Sequence, residues 1–150
     1  MKTIFSAIFS LLMLLNTVSA QSDKDAALET LGASGGLLLY NTYIAIGAIG
    51  DAYAGNSYEA TYVKDITKEQ IASIEAVIAQ YNKLLSSGFL TDPEDKSFVG
   101  DIVMTLGYLK SEAKYLGDYA DTNSESDSEK YQYNREEAWK KISKLLQLEE

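Results

Sequence analysis

Few side chains in this sequence are of types that do chemistry, and their spacing decides what they could do. Carboxylates are the most numerous. A pair held at a raised pKa could run acid–base chemistry. Asp51 is the one candidate worth naming, because it directly follows a long uncharged stretch; a lone Asp near a helix end is ordinarily exposed. A second group, Asp118, Asp121, Asn123, Glu125, Asp127 and Glu129, alternates acids as calcium sites do. The twelve-residue calcium loop needs Gly and Glu at fixed places. Here Ser126 and Gln132 occupy those places, so a solvated loop is the expectation. Arg135 is the only arginine. It falls on an apolar seam, where it could snorkel from the edge or grip an acidic partner bidentately; snorkelling is expected.

The missing residue types exclude more than the present ones suggest. The chain has no histidine and no cysteine. Nucleophilic triads, the usual zinc sets, His-containing di-iron motifs and the common haem ligands are all ruled out. Neither a cofactor nor a metal is expected, and the reading is non-catalytic. The net charge of −9 argues against nucleic acid and anionic lipid surfaces as partners.

Eleven tyrosines remain. Tyr40 and Tyr43 lie within the uncharged stretch, and Tyr108 and Tyr115 beside an apolar seam. An apolar body with a polar tip suits the boundary of a helical core, and equally a recognition surface. Together with Gly32, Gly36 and Arg135, these four tyrosines form the candidate interaction or ligand face.

Residues 1–20 have the pattern of a cleaved signal peptide. Lys2 precedes an apolar run from Ile4 to Leu15, and Val18-Ser19-Ala20 offers small residues for cleavage before Gln21. Export to a periplasmic or extracellular space is therefore expected. Residues 21–150 then form one domain, large enough for a core of its own.

That domain reads as helical throughout. Pro93 is the only proline, and apolar residues recur with the helical period. A first helix is expected from about Asp23 to Ala54. It has no charged residue from Thr30 to Gly50, so it should be the most deeply buried helix or should lie in a membrane. Tyr40, Asn41, Thr42 and Tyr43 at its middle disfavour the membrane. Its glycines cost helix propensity, and close approach of a neighbour would offset that. Gly55-Asn56 ends it, and Tyr58–Asp65 reads as a linker. A second helix starts at the capping box Thr67-Lys68-Glu69-Gln70, with the seam Ile71, Ile74, Ile78, Tyr81 and Leu85, and stops before Gly88. A third opens at Asp92-Pro93 and carries Val99, Ile102, Leu106, Leu109, Ala113, Leu116 and Ala120. Asp118–Ser128 reads as a loop. Ser126-Asp127-Ser128-Glu129 then caps a fourth helix with Tyr131, Arg135, Ala138, Ile142 and Leu145 inward, and Trp139 and Leu146 beside them. The expected fold class is all-α, an antiparallel up-down four-helix bundle.

Two functions are compatible with such a domain. It could be an interaction module that docks on another exported protein, or a carrier of a small apolar ligand between helices. A third, membrane-interacting role would rest on residues 30–50 alone. The glycine face separates the first two: tight packing there favours the module, a void favours the carrier.

Overall fold

The computed structural model describes the backbone of residues 2–148 and the side chains of residues 23–148. It is all-helical. The four helices are α1 (Lys2–Ala54), α2 (Ala60–Ser86), α3 (Pro93–Thr122) and α4 (Glu125–Leu146), with no strand among the described residues. The chain divides into two units, residues 1–34 and 35–150. The signal-peptide expectation falls on side chains outside the described residues. In the first unit, Thr30 Oγ1 and Ser34 Oγ donate to the carbonyls of Ala26 and Leu31, so both polar side chains are satisfied within their own helix. No break occurs at Asp23, where the first helix was expected to begin: no glycine or proline lies nearby to interrupt it.

The second unit is built around α3. Every residue of its expected seam, Val99 to Ala120, is buried. Asp92 caps the helix by accepting from Glu94 N at 2.7 Å, with Pro93 in its first turn. Both start signals act as their chemistry requires. Gly88, just past α2, takes φ +78°, the left-handed conformation that terminates a helix without a Cβ penalty. Ile74 and Tyr81 of α2, and Tyr131, Ala138 and Ile142 of α4, join the core.

Three sequence expectations need correction. Helix α2 begins at Ala60, not at Thr67. Glu59 is its N-cap residue and makes no side-chain cap bond, so nothing in the sequence advertises the start. Thr67 is instead a buried position within the helix; its hydroxyl donates to Val63 O at 2.8 Å. Asp118–Ser128 is not a loop. Helix α3 runs on to Thr122, Asn123 turns left-handed at φ 55°, and α4 starts at Glu125. The acids in this region sit on helix surfaces next to lysines: Asp118 beside Lys114, Asp121 beside Lys64 and Asp127 beside Lys130. Nor is α1 the most deeply buried helix. Leu37, Tyr40 and Ile44 are exposed along one side of it. Its other sides pack, through Gly35, Gly36, Leu39, Ile46, Gly47 and Ile49. The central place belongs to α3, which meets α1, α2 and α4.

Glycines on α3 illustrate how packing overrides helix propensity. A Cβ at Gly117 would stand 2.5 Å from Thr67 Oγ1, so that glycine lets α2 approach. A Cβ at Gly107 would meet nothing within 4 Å. Gly107→Ala should therefore stabilise the fold by about 0.5–1 kcal/mol, the ordinary propensity difference. Urea unfolding checks this: the midpoint should rise for Gly107→Ala and fall for Gly117→Ala.

Candidate functional site

Tyr131, Arg135 and Trp139 recur at intervals of four on α4, so they share one face. That face meets α1 at its glycines and α3 at an acid. Arg135 Nη1 donates to Glu112 Oε1 at 2.7 Å and more weakly to Tyr43 O at 3.4 Å. The guanidinium carbon lies 4.1 Å from the centre of the Tyr43 ring, within cation–π range. Trp139 stacks on the same ring, at 5.3 Å and 30°. Gly47 makes room for this arrangement, since a Cβ there would come within 2.5 Å of Arg135 Nη2.

The pair is a buried one. The Glu112 side chain is 0% exposed and that of Arg135 24%. Glu112 Oε2 has no hydrogen-bond partner. Burial pushes the Glu112 carboxyl up to about 7, against the opposing hydrogen bond and charge of Arg135. A carboxyl poised near neutrality is what general acid–base chemistry requires. Here, however, the carboxyl is fully buried against Arg135. Arg135 is thus not a snorkelling side chain. It turns inward because Glu112, once buried, needs a compensating charge. Burial also pushes the neighbouring Tyr131 phenol up to about 12.

A cleft of about 560 Å³ opens beside this cluster, lined in part by Gly50, Asp51, Tyr53, Tyr119, Tyr131 and Arg135. Tyr53 donates to Ala120 O at 3.4 Å and meets Tyr119 edge-on at 5.9 Å. Tyr131 stands against Gly50, where a Cβ would lie 2.7 Å from its hydroxyl.

The candidate residues named from sequence do not form one face. Tyr43 and Arg135 are in direct contact. Gly36 is buried beneath Leu146, whose Cδ2 would lie 2.5 Å from a Cβ there. Tyr40 points outward from α1, 37% exposed. Tyr115 lies near the ammonium groups of Lys114 and Lys130, at 4.5 and 5.2 Å. Tyr108 is half-buried on α3, and Gly32 lies in the other unit. Asp51 is exposed and borders the cleft. No group of three or more acidic residues able to hold a metal ion occurs among the described residues.

Glu112 and Gly47 were not singled out from sequence. A signal for Glu112 was available: Ile102, Thr105, Leu109, Glu112 and Leu116 form a second 3-4-3-4 seam on α3. An acid in that seam, facing a helix whose seam carries the only arginine, specifies a buried pair.

A second surface belongs to α1. Leu37, Tyr40, Asn41, Ile44 and Ala48 are exposed along one side, and Leu37 and Ile44 are 61% and 47% exposed. No described helix is long and apolar enough to cross a membrane. No protein-family model, no curated protein and no solved structure matches the chain.

Proposed function

We propose that the chain is an exported, non-catalytic helical module that binds another protein through the outward side of α1. The observation that carries this reading is the exposed stripe of Leu37, Tyr40, Ile44 and Ala48 on a segment without charge. Its spacing of three and four residues is that of a helix-pairing seam. The other faces of α1 are filled: side chains of α4 occupy the space above Gly36, Gly47 and Gly50. That packing leaves no space for a carrier's ligand against Gly36 and Gly47, which supports the module. The occupant we assign to the stripe is an amphipathic helix with basic flanks. Its apolar side would cover Leu37 and Ile44, and its charge would complement a chain of net charge −9. The same charge opposes pairing with a second copy.

Two further elements belong to this reading. Cleavage before Gln21 would deliver the module to the exported compartment, as the Val18-Ser19-Ala20 pattern suggests. The helices would run up and down as an antiparallel bundle. Supporting this, residue numbers fall on one helix as they rise on its neighbour, in Lys64–Asp121 and Glu75–Lys110, and in Tyr43–Trp139 and Gly47–Arg135.

Fluorescence anisotropy with a labelled, lysine-flanked leucine-rich amphipathic peptide tests the proposal. Saturable binding is expected, weakened at least about tenfold, or 1.4 kcal/mol, by Ile44→Glu in a protein that keeps its helical circular dichroism. Binding that Ile44→Glu leaves unchanged would overturn the assignment. So would a stable dimer in sedimentation equilibrium, which makes a second copy the occupant, or co-sedimentation with liposomes, which makes it a bilayer.

A further inference from the structure

We propose that the cleft between the ends of α1, α3 and α4 is a binding site for a small organic ammonium ion, a protonated amine with an apolar body. The charge balance of its walls points to a cation. Among the described residues, Asp51 and Arg135 are the only charged ones lining it. Arg135 is already engaged by Glu112 at 2.7 Å, and above pH 7, where Glu112 is ionised, the carboxylate of Asp51 is the charge left over. Helix ends add to it. Ala54 closes α1, and Asn123 caps α3; both border the cleft. The C-terminal end of a helix carries partial negative charge, and neither α1 nor α3 has a basic residue in its last turn to offset this. Of the N-termini nearby, that of α2 follows Glu59 and that of α4 has Glu125 and Asp127 in its first turn.

Aromatic and hydroxyl groups supply the rest of the chemistry. Tyr53, Tyr119 and Tyr131 line the cleft with Leu116. Tyrosine rings attract cations through their π faces, and more strongly when water is excluded. Tyr131 is only 8% exposed, and its hydroxyl makes no hydrogen bond to any described residue. That hydroxyl reaches the solvent of the cleft, where an ammonium N–H can donate to it. An anionic ligand would meet Asp51 and two helix C-termini with no unpaired cation in return. A neutral ligand would leave the Asp51 field unused. The site is separate from the outward stripe of α1 and does not depend on the function proposed for it.

Three ligands with one apolar body and different charge test the site: benzylamine, benzyl alcohol and benzoate, titrated by calorimetry at pH 8 into the purified protein. Benzylamine should bind saturably, at least about tenfold more tightly than benzyl alcohol, with benzoate weaker still. Asp51→Asn, an exposed substitution, should bring benzylamine down to the level of the alcohol. Tyr119→Ala should weaken benzylamine also, through the lost ring. Absence of benzylamine binding up to about 10 mM would overturn the proposal. So would benzyl alcohol binding as tightly as the amine, or benzoate binding tightest, which would make Arg135 the governing group. An unchanged affinity in folded Asp51→Asn would do the same.

Discussion

Arg135→Met should destabilise the protein by about 3–5 kcal/mol at pH 8, because it leaves the Glu112 carboxylate buried and unpaired. The same substitution should cost less at pH 5, by at most about 1.4 kcal/mol. The Glu112 carboxyl sits at about 7 in the folded protein, raised by burial from its ordinary value of 4.5. The folded state therefore binds a proton more tightly than the unfolded chain between those values. Stability is greatest on the acid side and falls as pH rises through the folded pKa. For the wild type, the fall from pH 5 to pH 8 amounts to at most about 3 kcal/mol. Removing Arg135 removes the hydrogen bond and charge that hold the carboxyl down, so in the variant the loss should extend to higher pH. No histidine is present, so no other side chain ordinarily titrates in this window. Urea unfolding at pH 5, 6.5 and 8 reads the effect directly. Glu112→Leu combined with Arg135→Met should recover most of the stability and flatten the pH dependence, as buried ion pairs replaced by apolar groups do. A loss of equal size at pH 5 and pH 8 would contradict the buried-pair account.

Leu106→Ala should cost about 2–5 kcal/mol, the loss that accompanies a large-to-small change in a packed core. Leu106 is 1% exposed at the middle of the α3 seam, and α3 meets the other three helices. Met104, two residues away and 49% exposed, is the control; its replacement by Ala should change stability by less than about 0.5 kcal/mol. Equal effects at both positions would mean that α3 is rotated about its axis from the orientation described.

These two residues also mark what the sequence can and cannot disclose. Leu106 was legible because a seam repeated at 3-4 spacing leaves one face to bury, whatever the neighbours are. Asp92-Pro93 and Gly88 were legible for a similar reason: their chemistry acts on adjacent backbone. The start of α2 was not legible, since Glu59 makes no side-chain cap bond and the Thr67 pattern matched a capping box better. Thr67 is buried because Gly117, fifty residues away, leaves room for it. The two-residue α3–α4 connection was hidden by acids that looked like loop but lie on helix surfaces beside lysines. Burial of α1 was overestimated, because an uncharged helix is indistinguishable by composition from a central one. The seam position of Arg135 shows which helix face it occupies but not its partner, because Glu112 lies on a different helix, in a seam of α3. The cleft depends on where three helices end, which no local pattern encodes.

The proposed function rests on the outward stripe of α1, and nuclear magnetic resonance mapping of that stripe is its most direct test. The lysine-flanked amphipathic peptide is titrated into isotope-labelled protein. The account predicts that shifts concentrate on the Leu37 and Ile44 methyls and the Tyr40 ring, while the buried Leu106 and Ile142 methyls stay in place. Unmoved Leu37 and Ile44 signals at saturating peptide, or shifts confined to another face, would contradict it.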